Sequence, residues 1–361
     1  MKLLAVTGSS GGHIFPALGF LDALNNKRKD ADILLVLPRE NITERVKKFD
    51  YKVDYISISS VKFGISPRSL GSILKFFKGA LESIVMLLKF RPGVVVGFGS
   101  IVSVPMVLFS RFLGIKTLIH EQNVIPGRAN RFLASFADKI AISFAESADY
   151  LKVYKRKIIL TGNPIRRELN RVDKNKALDF FRLDSRKFTV LVMGGSQGSQ
   201  RINSAFLKAV SAMPDRSRLQ VIHLTGPQGY GLLEKSYKDL SLSCRLFDFL
   251  EPMQYAYSAC DLVVSRAGAT AVTEIIFYGL PAILIPYPFA YNHQIANAEA
   301  LRRIGSGIII QDNDSAADIL GKNIDGLMND PGRIKAMVSH YGNIPRLSAD
   351  DLLADAVLSL N

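Results

Sequence analysis

Cysteine is nearly absent: Cys244 and Cys260 are the only two in 361 residues. Two thiols are too few for a disulfide framework and fit a reducing compartment. No Cys/His cluster has the spacing of a zinc site. A secretory leader is not expected, because Met1-Lys2 runs through a short apolar stretch straight into Gly8 and Gly11-Gly12, with no small-residue cleavage site. Two stretches lack charge altogether, residues 92–110 and 275–298. Gly97, Gly99 and Pro105 interrupt the first. Gly279, Pro281, Pro286 and Pro288 interrupt the second. Such breaks predict buried strand–loop–helix segments rather than membrane spans. Acidic residues are scarce in one half only. Residues 1–163 hold 24 Lys+Arg against 12 Asp+Glu, whereas 164–361 hold 22 against 20. Twelve of the fourteen excess positive charges therefore lie in the first half, which points to an anionic partner: nucleic acid, acidic lipid or a phosphorylated substrate.

An apolar content of 48% excludes a disordered chain, and the length predicts two domains. Strand-like runs at Lys2–Thr7, Ile33–Leu37, Val94–Val96, Thr117–His120, Thr189–Met193, Gln220–Leu224, Asp261–Ser265 and Ala282–Pro286 alternate with helical patterns. That rhythm predicts α/β architecture with parallel sheets. One opening occurs twice. Lys2–Thr7 enters Gly8-Ser9-Ser10-Gly11-Gly12 before a helix from Ile14, and Thr189–Met193 enters Gly194-Gly195-Ser196-Gln197-Gly198 before a helix from Ile202. We read two doubly wound domains of like design, with ligands expected in a cleft at the carboxyl ends of their strands. Residues 69–90 form a basic amphipathic helix in which Leu70, Ile73, Leu74, Phe77, Leu81, Ile84, Val85 and Leu88 recur at helical spacing among Lys75, Lys78 and Lys89. It suits a headgroup plane and a core-packed helix equally well.

Glycine loops at strand ends offer backbone N–H groups and a helix N-terminus to phosphate. Neither loop is G-x-G-x-x-G or a Walker A motif. The second also fits G-x-S-x-G, so a serine hydrolase with Ser196 as nucleophile, a later acid such as Asp261 and a later base such as His293 stays open as an alternative. In DLVVSRAGATAVTE (261–274), small residues follow a strand, and Glu274 is placed near the helix start, where it suits a ribose diol as well as the helix dipole. His120-Glu121-Gln122-Asn123 closes an apolar strand with four polar residues, more than a turn requires. His13, directly after the first glycine loop, is a candidate general base. His223 is expected in the core and His340 in solvent. Asp30-Ala31-Asp32 and Asp312-Asn313-Asp314 are read as solvated turns, and no metal is predicted.

Together, SSGGHIFPAL (9–18), HEQNVIPGRANR (120–131), TGNPIR (161–166), GGSQGSQRIN (194–203), SRAGATAVTE (265–274) and NHQIANA (292–298) resemble the bacterial peptidoglycan N-acetylglucosaminyltransferases, in order and over nearly the whole chain. The resemblance implies a GT-B fold of two doubly wound, Rossmann-like parallel-sheet domains. Residues 1–162 would form the acceptor and membrane-associated domain and 163–345 the UDP-GlcNAc domain, with a helix at 346–361 crossing back to the first. It implies an inverting transferase without cofactor that moves GlcNAc from UDP-GlcNAc to the 4-hydroxyl of undecaprenyl-diphosphate-linked N-acetylmuramoyl-pentapeptide. Its place would be the anionic cytoplasmic face of the cell membrane, with no nucleic acid partner. The family's donor residues carry over as Ser10, Gly11, Gly12, Asn123, Arg166, Ser196, Leu250, Ala269, Thr270, Ala271, Val272, Thr273, Glu274 and Gln294, with His13 as the candidate base. Two departures stand out. The first loop reads GSSGGH where the family usually has GGTGGH. The loop at 99–105 lacks the second glycine and the aromatic that commonly follow its first, so Ser100 and Val104 are placed to crowd the acceptor diphosphate.

Overall fold

The computed structural model describes the chain except residues 40–50, 59–66, 196, 289–291, 344–347 and 361 and the side chains of 67–70 and 343. It divides into two compact units, residues 1–166 with 347–361, and 167–346.

Among the described residues of the first unit, seven strands are all parallel: β1 (Lys2–Val6), β2 (Asp32–Pro38), β3 (Lys52–Ile56), β4 (Val94–Gly97), β5 (Lys116–Glu121), β6 (Lys139–Ile142) and β7 (Ile158–Leu160). Their order is β3-β2-β1-β4-β5-β6-β7. The helices are α1 (Gly11–Lys27), α2 (Pro67–Phe90), α3 (Ser103–Phe112) and α4 (Arg128–Leu133). The central strands β1 and β4 are buried on both faces, which is why they read as uninterrupted apolar runs, LLAV and VVV. α1 starts at Gly11, three residues before the expected Ile14, because the Ser10 carbonyl already accepts the N–H groups of His13 and Ile14, each at 3.0 Å.

Among the described residues of the second unit, six parallel strands follow: β8 (Phe188–Met193), β9 (Leu219–Leu224), β10 (Cys244–Phe247), β11 (Leu262–Ser265), β12 (Ala282–Leu284) and β13 (Gly307–Ile309), in the order β10-β9-β8-β11-β12-β13. Its helices are α5 (Lys174–Phe181), α6 (Gln200–Ala212), α7 (Tyr230–Asp239), α8 (Met253–Ala259), α9 (Ala269–Tyr278), α10 (His293–Ile304), α11 (Ala316–Asn329) and α12 (Pro331–Ser339). The last helix, α13 (Ala349–Leu358), belongs to the first unit. Its Leu353, Ala354 and Val357 are fully buried with Leu3, Phe20 and Leu24, and Lys27 pairs with Asp355 at 2.6 Å. Burying Leu353 and Val357 contributes about 2 kcal/mol each.

The two charge-free stretches become β4–loop–α3 and the segment from α9 through β12 to α10. Among the described residues, no helix is long and apolar enough to cross a membrane. Within each sheet the strand order reverses direction once, at β1/β4 and at β8/β11, and that switch point is where open α/β sheets bind ligands.

Candidate active site

The switch point of the first unit gathers the β1–α1 loop and the β4–α3 loop. Gly8 faces Ser100 so closely that a Cβ on Gly8 would lie 2.9 Å from the serine Cβ. Ser100 has φ +65°, a left-handed conformation that favours glycine, so the backbone takes the shape of a glycine loop although the residue is serine. Ser10 caps α1 in extended conformation. Ser10 and Gly12 are exposed and Gly11 is half-buried. His13 is half-buried, with Nδ1 3.2 Å from Gln122 Oε1. Burial lowers its pKa, opposed by the Glu121 charge and the Gln122 contact.

His120 is fully buried, which pushes its pKa down to about 4. Glu121 accepts from the Asn123 N–H at 2.8 Å, Asn123 Nδ2 at 3.2 Å, the Gly127 N–H at 2.9 Å and Asn130 Nδ2 at 2.8 Å. It therefore organises the loop into α4 and holds Asn123 at the end of β5. The Arg166 guanidinium stacks 4.0 Å over the Phe15 ring, a cation–π contact with an α1 residue that fixes the arginine near the same helix start.

In the second unit, Ser196 lies outside the described residues. Its neighbours form a tight loop: Gly198 has φ +74°, and a Cβ there would sit 2.4 Å from the Thr225 carbonyl oxygen. Ser199 caps α6 through the Ile202 N–H and also accepts from Arg266 Nη2 at 2.9 Å. Arg266 donates to Asp312 Oδ2 at 2.7 Å, while Arg201 donates to Asp312 Oδ1 at 2.5 Å. Asp312 is thus not the solvated turn residue expected from Asp312-Asn313-Asp314, since its side chain is only 5% exposed. Burial would raise its carboxyl, but the two arginine hydrogen bonds outweigh that and hold it below the usual value. A buried, ion-paired acid and an Arg anchored to the Ile285 carbonyl thus hold Ser199 at the start of α6, which the sequence did not announce.

α9 opens at Ala269, directly after β11, so its N-terminus faces the switch point. Thr270 and Ala271 are half-buried there. Val272 is fully buried and its N–H bonds the Gly268 carbonyl, which leaves its side chain to the core. Thr273 Oγ1 donates to the Ala269 carbonyl. Glu274 sits in the second turn, is 7% exposed, and accepts from Tyr257 O–H at 2.6 Å. Gln294 Oε1 accepts from the Ala267 and Tyr287 N–H groups, at 3.2 and 2.9 Å, so its NH2 is the end suited to a ligand. Leu250 is buried just beyond β10, three strands from β11. The residues drawn together at β11 and β12 are Ala269, Thr270, Ala271, Thr273, Glu274 and Gln294. Tyr257 was not foreseen as a site residue, and nothing in the sequence around it marks it. Gln122 and Arg266 lie inside motifs that were singled out, HEQN and SRAGATAVTE, but neither was given a role of its own.

The hydrolase arrangement meets a geometric obstacle. Asp261 binds the Thr189 N–H at 2.9 Å and pairs with Lys174, at the amino end of β8. The glycine loop lies at the other end of that strand, about 16 Å away. Asp261 cannot serve a nucleophile at 196.

Two doubly wound parallel sheets, each with a glycine loop and a helix N-terminus at the switch point, are the architecture of the GT-B class of glycosyltransferases. Residues 3–142 match the glycosyltransferase family 28 N-terminal domain and 189–351 the glycosyltransferase family 28 C-terminal domain. A UDP-N-acetylglucosamine--N-acetylmuramyl-(pentapeptide) pyrophosphoryl-undecaprenol N-acetylglucosamine transferase of Halothermothrix orenii is 38% identical over 93% of both chains. One of the same name from Alkaliphilus metalliredigens is 34% identical over 100% of this chain and 99% of its own. The crystal structure of Acinetobacter baumannii MurG superposes with a TM-score of 0.77 at 25% identity over 99% of each chain. The UDP-GlcNAc 2-epimerase of Neisseria meningitidis, 15% identical with a TM-score of 0.67 over 100% of this chain and 99% of its own, shares the fold. The chain belongs to glycosyltransferase family 28, among the peptidoglycan N-acetylglucosaminyltransferases. It is an enzyme, and none of these relatives is a serine hydrolase.

Proposed function

We infer that this enzyme transfers GlcNAc from UDP-GlcNAc to the 4-hydroxyl of undecaprenyl-diphosphate-linked N-acetylmuramoyl-pentapeptide, forming a β(1→4) link with inversion. The observation that carries this reading is the position of both glycine loops and the α9 N-terminus at the sheets' switch points, in a chain of this family. The second unit takes the donor. The α9 N-terminus and the 194–199 loop direct N–H groups at the diphosphate, where charge grows as the anomeric bond breaks. Glu274, held by Tyr257, orients the ribose, and Arg166 adds positive charge. The first unit takes the acceptor, whose 4-hydroxyl proton passes to His13. Lowered by burial, this imidazole stays neutral and able to accept a proton at physiological pH.

The first unit also meets the membrane, peripherally and from the cytoplasmic side. On α2, Leu74, Phe77, Leu81 and Leu88 are each more than half exposed, beside Lys75, Lys78 and Lys89, and Phe112 on α3 is 72% exposed. An apolar stripe with a basic border suits an anionic lipid surface better than a nucleic acid, which asks for basic and stacking groups without a greasy centre.

His13→Ala is expected to lower turnover by about 10²-fold or more, with donor affinity little changed. Retained turnover would overturn the base assignment. UDP-GlcNAc is expected to raise the unfolding temperature where UDP-glucose does not; equal protection by both, or none, would count against the donor.

A further inference from the structure

Behind His13 lies a chain of buried hydrogen bonds. His120 Nε2 is 3.0 Å from the Gly162 carbonyl oxygen, which can only accept, so His120 carries its proton on Nε2 and presents a bare Nδ1. Gln122 Nε2 lies 3.1 Å from that Nδ1, 3.4 Å from the Phe98 carbonyl and 3.2 Å from the His120 carbonyl. All three are acceptors, so this end of the amide must be the NH2. Reversing it would set the amide oxygen against two carbonyl oxygens in a place where Gln122 is 1% and His120 0% exposed. The remaining end, Oε1, therefore faces His13 Nδ1 at 3.2 Å as an acceptor. The nitrogen it faces must bear a hydrogen. His13 Nε2 is then left with its lone pair, the reverse of the tautomer a free histidine side chain favours.

We propose that Gln122, seated on His120, is a positioning residue that holds His13 in the Nδ1–H tautomer and so makes Nε2 the proton acceptor of the transfer. The proposal rests on His13 being the base. In the step, the acceptor O–H bond breaks and its proton moves to His13 Nε2. The oxygen bonds to the anomeric carbon, and the bond to UDP breaks with its electron pair on the diphosphate. The resulting imidazolium keeps Nδ1–H on Gln122 and returns the Nε2 proton to solvent.

The test is a long-range ¹H–¹⁵N correlation spectrum of the full-length protein labelled at histidine nitrogen, with the His13 signals identified by their loss in His13→Ala. The expected pattern is a protonated Nδ1 and a bare Nε2. In Gln122→Met, which keeps the bulk and loses both hydrogen bonds, the pattern reverts to Nε2–H. Its kcat is expected to fall about 10-fold with the KM for UDP-GlcNAc unchanged, since a wrong tautomer costs the base rather than the binding. A wild-type His13 in the Nε2–H form overturns the proposal, whether or not the variant folds. So does a Gln122→Met enzyme with unchanged tautomer and kcat. Turnover surviving in His13→Ala while the tautomer is as assigned would remove the base reading and the catalytic consequence with it, leaving the hydrogen-bond assignment standing.

Discussion

Ser100 holds its φ of +65° at the tip of the β4–α3 loop, a conformation that costs an L-residue roughly 1–2 kcal/mol and glycine nothing. Ser100→Gly should therefore stabilise the enzyme by about 0.5–1 kcal/mol, after allowing for the greater freedom of an unfolded glycine, as read from urea unfolding midpoints. A lower midpoint would show that the serine side chain stabilises the loop by more than the strain costs. Tyr257 bears on the donor through a single hydrogen bond to Glu274. Tyr257→Phe removes that bond, worth about 1 kcal/mol, together with the weaker 3.6 Å contact of the hydroxyl to Met193 Sδ, so the KM for UDP-GlcNAc should rise about 5-fold with kcat nearly unchanged in initial-rate assays. At this scale the motif residues were legible, because glycines, HEQN and the 265–274 turn announce backbone shape and polarity in one dimension. Tyr257 and the Arg266–Asp312 pair were not: their roles come from partners 17 and 46 residues away, and no local pattern encodes that separation.

α2 shows how an element can be read correctly while its orientation stays open. Its apolar periodicity marks a helix and left open whether the stripe faces lipid or core. The residues turned inward are small, Ser72, Gly79 and Ser83, with Leu87, whereas Leu74, Phe77, Leu81 and Leu88 face out. Gly79 sits where a Cβ would come within 2.1 Å of Ile58 Cγ1, so close backbone approach fastens this helix alongside Leu87 in the core and Phe76, Met86 and Phe90 packed against it. Phe77→Ser with Leu81→Ser should weaken binding to anionic vesicles in flotation assays while leaving the unfolding temperature unchanged. A fall in stability with vesicle binding intact would mean that the stripe serves packing. The strands missing from the sequence reading, β3, β6, β7, β10 and β13, are three to five residues long; four of them are the sheets' edge strands and the fifth, β6, lies next to an edge. There one face meets solvent, and apolar runs are too short to stand out.

Over the whole molecule, two buried neutral histidines tie the fold to pH. His223 accepts from Tyr237 O–H at 2.8 Å on Nδ1, and its Nε2–H donates to Asn203 Oδ1 at 3.0 Å. Burial pushes its pKa down to about 3, and that of His120 to about 4. Folded-state values below the unfolded 6.5 mean that the unfolded chain binds more protons. The stability is whole above about pH 6.5 and drains away as pH falls toward 4 and then 3, on the order of 3 kcal/mol or more for each group. Urea unfolding midpoints should therefore drop steeply between pH 7 and pH 4, and less so in His223→Gln, where one of the two sites cannot titrate. An unchanged slope in that variant would place the acid sensitivity elsewhere. α13 makes a related point about connectivity. Its Leu353 and Val357 complete the core of the first unit from the far end of the chain, so deleting residues 348–361 should lower the unfolding temperature of that unit by more than any single core substitution, as calorimetry would show.

By itself the sequence determined the fold class, the two glycine loops, the helix at α2 and the family. Each of these is written in local spacing: strand–glycine–helix order, apolar period, and motifs met in sequence. Only the tertiary structure decided which side of α2 faces out, that Asp261 and the 196 loop lie at opposite ends of one strand, that Asp312 is a buried ion-pair partner, and that Gln122 meets His13 at Nδ1. Those answers depend on what lies across a sheet or behind a ring. Hydrogen bonds and burial are properties of neighbours in space, and the chain places those neighbours far apart in its numbering.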